Sequence, residues 1–218
     1  PITHVQNIIY LKRDSYTDND EIKQAIMKYG AVATGIYFSS FSYNEYTNSY
    51  YFSAQSYSNH AVTIVGWDDY YSRDNFFATP EGDGAWIVKN SWDSTWGEDG
   101  YFYVSYYDNV LAEVGVPDAS YAFVFNDTTK YDKNYQYDYI GKTDYFVTGR
   151  NTIWVENIFN ATGYDMLAGV STYFRKTTDW DLFIYVNDEL RLEQSGTCNP
   201  GYITINLQEH IPLQPNDT

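Results

Sequence analysis

Two short segments of this chain hold the residue types that acyl transfer uses. Asn59-His60-Ala61-Val62-Thr63-Ile64-Val65-Gly66-Trp67 places a histidine at the mouth of an apolar strand. Gly84-Ala85-Trp86-Ile87-Val88-Lys89-Asn90-Ser91-Trp92, continuing to Trp96-Gly97-Glu98-Asp99-Gly100-Tyr101-Phe102, ends another apolar strand in an amide beside two tryptophans. In cysteine-based acyl transfer the thiolate attacks. A nearby imidazolium lowers the thiol pKa and later protonates the leaving amine. A third group must hold the ring in one tautomer and orientation, and a neutral amide does so without adding charge. A His and an Asn at the ends of neighbouring strands meet that need.

The surrounding elements are of the kind that could hold such a pair. A helix is expected from a cap at Thr17 or Asp18 to Tyr29, with Ile22, Ala25, Ile26 and Tyr29 at helical spacing and Gly30 as its stop. Strands are expected at Ala31 to Phe38, Ala61 to Trp67, Ala85 to Lys89 and Tyr101 to Tyr106, with long loops at 39–58 and 68–84. After Pro117 the helix signals vanish. Alternating runs at Tyr121 to Phe125, Thr152 to Phe159, Leu167 to Phe174, Leu182 to Val186 and Tyr202 to Leu207 predict an all-β sandwich. The expected fold class is mainly β with little helix, a β-rich half-domain over 1–117 followed by an antiparallel β-sandwich over 118–218.

The pattern H-A-V-x-x-V-G, then K-N-S-W-x-x-x-W-G-x-x-G-Y, resembles the His and Asn motifs of the papain-like (C1) cysteine peptidases, over residues 17–107. The resemblance implies that His60 is the catalytic base and acid, that Asn90 orients it, that Trp92 shields the His–Asn bond, and that Trp96 contributes to the prime-side floor. It places Gly35 and Ser58 near the pocket for the substrate's second residue. It implies no cofactor and no metal. The part that carries the nucleophile, in a C-G-S-C-W type motif, and the oxyanion-hole Gln has no counterpart in this sequence. The resemblance therefore implies a cysteine peptidase whose His/Asn half is here, inactive alone, with a peptide or protein substrate and a Cys-bearing left-hand domain as partners. Two departures stand out. Asn59 precedes His60 where many members have Asp, and the acidic loop 68–84 lengthens the interval to Asn90. The Tyr- and Asn-rich second half resembles the lectin-like domain of some bacterial and archaeal surface peptidases. That implies a glycan ligand, with Trp154, Trp180 and Asp181 as candidate contacts, and an extracellular or cell-surface location. A non-catalytic glycan- or cell-wall-binding protein with a degenerate peptidase remnant is the alternative.

Composition narrows the partners. Lys and Arg number 13 against 29 Asp and Glu, a net charge of -16 that repels nucleic acid phosphates and anionic lipid. No apolar run reaches the ~18 residues of a membrane span. The start at Pro1 in folded-looking sequence is expected of a processed product or fragment. Cys198, the one cysteine, cannot form an internal disulfide. It lies downstream of His60 and Asn90 with no helix before it to lower its pKa, so a structural role is expected. The acids Asp68, Asp69, Asp74, Glu81 and Asp83 match no EF-hand spacing and read as solvated loop carboxylates.

Overall fold

The structure, a computed structural model, describes residues 4–126, 131–137, 139 and 149–218. In chain order its elements are β1 (His4–Leu11), α1 (Asp20–Tyr29), β2 (Val32–Ile36), β3 (Tyr43–Asn44), β4 (Ser49–Tyr50), β5 (His60–Asp68), β6 (Ala85–Lys89), β7 (Tyr101–Ser105), β8 (Ser120–Asn126), β9 (Asp165–Phe174), β10 (Thr178–Val186), β11 (Glu189–Cys198) and β12 (Gly201–Leu213). Ten strands form one sheet in the order β3-β4-β7-β6-β5-β2-β8-β1-β12-β9, and β10 pairs with β11 in a second sheet.

The first half folds around one dense core. On α1 the apolar residues Ile22, Ala25 and Ile26 are buried at helical spacing. They meet the inward, alternate residues of the sheet: Val32 and Ile36, Val62 and Ile64, Trp86 and Val88, Phe102 and Val104. The helix stops at Gly30, whose N–H donates to Ile26 O. It starts later than the sequence suggests. The N-cap is Asn19, not Thr17 or Asp18, and its side chain makes no capping bond. The Asp18 carboxylate is engaged elsewhere, accepting from Asp14 N at 3.0 Å.

Two charged residues of this half, Arg13 and Asp108, are buried. Arg13 is buried and donates to Tyr16 O at 2.8 Å and Tyr106 O at 2.9 Å, with its guanidinium over Trp86. Burial lowers its pKa to about 10. Asp108, also buried, accepts from Phe52 N, Val110 N and Leu111 N, yet burial pushes its pKa up to about 6. Both groups move toward their neutral forms, so desolvation outweighs their attraction.

The second half is thinner. Val186, Leu207 and Ile211 are buried between the β9–β12 sheet and the β10–β11 hairpin, with Leu167, Val170, Leu182, Ile184, Leu192 and Leu213 packed on them. These two layers form the sandwich. The sheet runs through the expected boundary at 117/118, which falls in the turns between β7 and β8: β8 pairs with β1 and β2, and β1 in turn pairs with β12. Thr204 reinforces that seam, donating from N to Asn7 Oδ1 at 2.9 Å and from Oγ1 to Gln6 O at 3.0 Å.

Three expectations need correction. The run Thr152 to Phe159 is not a strand. It has no ladder partner among the described residues and is held by ring contacts instead: Trp154 on Phe183, and Phe159 against Tyr135 and Tyr137. The loop at 39–58 contains β3 and β4. Strand β11 went unforeseen, because its inward positions Leu192, Gln194, Gly196 and Cys198 include a single large apolar residue.

Candidate active site

Strands β5 and β6 are antiparallel neighbours, so the start of one lies beside the end of the other. His60 opens β5 and Asn90 follows the last residue of β6, which brings them together across 30 residues of sequence. The side chains also share a face. His60, Val62 and Ile64 alternate along β5, and Trp86, Val88 and Asn90 along β6, and every member except half-buried His60 is buried.

His60 Nε2 lies 2.8 Å from Asn90 Oδ1. The donor can be identified. Ser91 N donates to the same Asn90 Oδ1 at 2.8 Å, and a backbone N–H can only donate. That contact fixes Oδ1 as the acceptor and excludes a flipped amide. Nε2 therefore carries the proton, and in the neutral ring Nδ1 is left as an acceptor. Asn90 is buried, and its Nδ2 makes no hydrogen bond among the described residues.

The aromatic surroundings hold this pair. Trp92 stacks on the His60 ring, centroids 4.8 Å apart at 26°, and is 41% exposed, so it covers one side of the bond. Trp96 meets Trp92 edge-on at 5.2 Å and stacks on Tyr43 at 4.9 Å. Phe38 packs edge-on against Trp92 at 4.6 Å. The turn carrying the tryptophans needs its glycine. Gly97 has φ 61°, and a Cβ there would lie 2.5 Å from Tyr101 O.

Asn59 anchors the strand beside the histidine. Its Oδ1 accepts from Phe38 N at 2.7 Å, and its Nδ2 donates to Phe38 O at 3.1 Å. Sequence reading marked Asn59 as a departure but gave it no role. On the other flank Gly35 and Ser58 touch: a Cβ on Gly35 would lie 2.7 Å from Ser58 Cβ. His60, Asn90, Trp92 and Trp96 are thus in linked contact, while Gly35 and Ser58 touch each other beside the His60 backbone.

Other candidates lie apart. Cys198 closes β11 in the second half, where its Sγ accepts from Trp180 Nε1 at 3.1 Å. The loop acids find local partners: Asp69 takes Lys23 and Tyr106, Asp83 accepts from Arg73 N, and Asp68 accepts from Tyr70 N. Lys23 and the Tyr106 hydroxyl hold Asp69 below the usual carboxylate range. Of the three glycan candidates, Trp180 points inward and packs against Gly196, while Trp154 and Asp181 are exposed.

Residues 2–124 match the Papain family cysteine protease family, and residues 134–218 match the Lectin like domain. The chain belongs to the papain family of cysteine proteases, with a lectin-like domain behind the peptidase half. The cathepsin L-like peptidase of Aedes aegypti is 33% identical over 87 residues, 38% of this chain and 23% of that protein. Cathepsin Q of Rattus norvegicus is 34% identical over 90 residues, 39% of this chain and 24% of that protein. A structure of the clostridial cysteine protease Cwp84 after propeptide cleavage superposes with a TM-score of 0.76 at 26% identity, covering 99% of this chain and 54% of that one. A second Cwp84 structure, of its cysteine protease and lectin-like domains from Clostridium difficile, gives 0.71 at 24% identity, over 99% of this chain and 48% of that one. This chain therefore spans about a quarter of those curated relatives and about half of the matched clostridial structures.

Proposed function

We infer that this chain is the His/Asn half of a cysteine endopeptidase that cleaves peptide bonds through a thioester. The observation that carries the reading is the His60 Nε2–Asn90 Oδ1 bond, whose polarity is fixed by Ser91 N. A thiol delivered to Nδ1 would give up its proton there. The thiolate attacks the scissile carbonyl, and the imidazolium returns the proton to the leaving amine. Asn90 keeps the ring oriented in both protonation states, because Nε2–H is a donor in each. Trp92 limits water at that bond, and Gly35 and Ser58 leave room for the side chain of the substrate's second residue.

The nucleophile comes from a Cys-bearing segment outside this sequence, since Cys198 sits in the sandwich, hydrogen-bonded to Trp180. The unpartnered Asn90 Nδ2 supports a site completed by further residues, because an orphaned buried donor costs about 1–3 kcal/mol. The 218-residue chain alone is accordingly inactive. An extracellular or cell-surface location is supported by Cwp84, described as a surface layer associated protein. In the complete enzyme His60→Ala abolishes turnover while leaving the fold intact; near-normal activity would overturn the assignment.

The lectin-like match favours a second reading for the other half: it binds glycan. In a non-catalytic protein this would be the whole function. Labelling of the full-length protein by a papain-class epoxide separates the two, because a remnant without a thiolate is not labelled.

A further inference from the structure

The β10–β11 hairpin has two unlike faces. Trp180, Leu182, Ile184 and Val186 point inward, the last three into the sandwich core, so Asp179, Asp181 and Phe183 point outward. The register pairs Phe183 with Glu193, Asp181 with Ser195, and Asp179 with Thr197, which puts all six on the outer face. Thr197 Oγ1 donates to Asp179 at 2.6 Å, occupying that pair. Asp181, Glu193 and Ser195 are exposed.

Over this face lies Trp154, its ring 5.6 Å from that of Phe183 and 74% exposed. Ile153 and Val155 on either side are 55% and 82% exposed. Trp154, Ile153, Thr152 and Arg150 line a cavity of about 440 Å³. A tryptophan resting on a phenylalanine at a tilt of 40°, beside a concavity and a row of acceptors, is costly to leave in water and is not core.

We propose that Trp154, Phe183, Asp181, Glu193 and Ser195 form a saccharide-binding site for a neutral pyranose polymer. The proposal rests on the glycan-binding reading of the lectin-like half and adds its location and ligand class. A pyranose ring has one face of C–H groups, which loses water favourably against the Trp154 plane. Its hydroxyls donate to the Asp181 and Glu193 carboxylates, and such charge-assisted bonds are the stronger kind. Charge sets the class: Asp181 and Glu193 outnumber Arg150 at the site, and with a net charge of -16 they disfavour uronate or phosphate polymers.

Isothermal titration of the 218-residue chain with cellotetraose, chitotetraose and mannotetraose, and with tetragalacturonate as the anionic counterpart, tests this. Binding of a neutral oligomer and none of tetragalacturonate is expected. Trp154→Ala weakens the neutral ligand about tenfold or more, the scale of losing an aromatic anchor, and Asp181→Asn weakens it about fivefold. Tyr70→Ala, an exposed aromatic of the other half, leaves affinity unchanged. Wild-type affinity in Trp154→Ala would overturn the site while the glycan reading stood. No neutral oligomer bound at millimolar concentration would overturn both, and tighter binding of tetragalacturonate would overturn the ligand class.

Discussion

The two halves of this molecule use the same residue types in opposite directions. In the peptidase half Trp86, Tyr50 and Phe102 are wholly buried, and the aromatic cluster that reaches the surface at Trp92 is braced from behind by Phe38, Trp96 and Tyr43. In the lectin-like half the core cluster among the described residues is small, built on Val186, Leu207 and Ile211, and Trp154 is turned outward. The proton transfer proposed for His60 demands donors and acceptors fixed to fractions of an ångström, and His60 is held by packing and by a hydrogen bond of fixed polarity. Stacking a ligand on a ring demands a plane open to solvent. A thick core suits the first proposed role, and a thin sandwich with an open aromatic face suits the second.

The seam between the halves makes their stabilities unequal, and core truncations expose the asymmetry. Strand β1 pairs with β8 from His4 to Leu11 but with β12 only at Ile8 and Ile9. Loss of the first core frees β1 and strips β12 of a neighbour, whereas loss of the second leaves β1 on β8. Phe102→Ala is expected to cost about 3–5 kcal/mol and Leu207→Ala about 2 kcal/mol. In urea unfolding followed residue by residue by NMR, Phe102→Ala should lower the midpoints of both halves, and Leu207→Ala that of the second alone. Equal effects of both variants on both halves would mean a single cooperative unit.

Titration of Asp108 should distinguish the halves as well, since the second holds no buried carboxylate among its described residues. The folded pKa, about 6, lies above the ordinary 3.8. Between those values the native state binds more protons than the unfolded state, so stability falls as pH rises through that window. The stabilisation from this group is complete below pH 3.8 and lost above pH 6, with a span on the order of 2–3 kcal/mol. Urea midpoints of the wild type and of Asp108→Asn across pH 4 to 7 isolate it, because both proteins share every other carboxylate. The variant should lack this slope, and it should be less stable overall because an amide cannot accept from all three backbone donors. Identical slopes would remove Asp108 from the account.

The His60–Asn90 partnership was legible in sequence through the resemblance of the flanking motifs to those of the papain-like peptidases; the antiparallel pairing of β5 with β6 is what brings the two strand ends together. Composition read β5 and β6 well because Val62, Ile64, Trp86 and Val88, which they bury, are all large and apolar. The same rule failed on β11, whose inward face is Gln194, Gly196 and Cys198 around one leucine. It failed in the other sense at Thr152 to Phe159, where β-branched and aromatic residues suggested a strand but serve a surface. Trp154 and Trp180 look alike in sequence; only the parity of β10, and the packing of Trp154 on Phe183, tells outward from inward. The clamp at Asn59 was invisible because its partner is a backbone segment some twenty residues away.

That clamp gives the smallest expected effect and a distinctive pH signature. The Asn59 amide both accepts from and donates to Phe38, and Phe38 supports Trp92, which stacks on His60. A carboxylate keeps the first bond but sets an acceptor against Phe38 O, where no donor remains. Asn59→Asp should therefore cost about 1 kcal/mol at neutral pH, modest because the residue is exposed. Below the ordinary Asp pKa of about 3.9 the new carboxyl is protonated and can donate to the same carbonyl. The penalty should shrink there, whereas loss of packing alone would give a penalty independent of pH. Asn59→Ala loses both bonds and should show a deficit that does not change with pH. A penalty in Asn59→Asp that likewise ignores pH would mean that Phe38, and with it the support beneath Trp92, is held by packing alone.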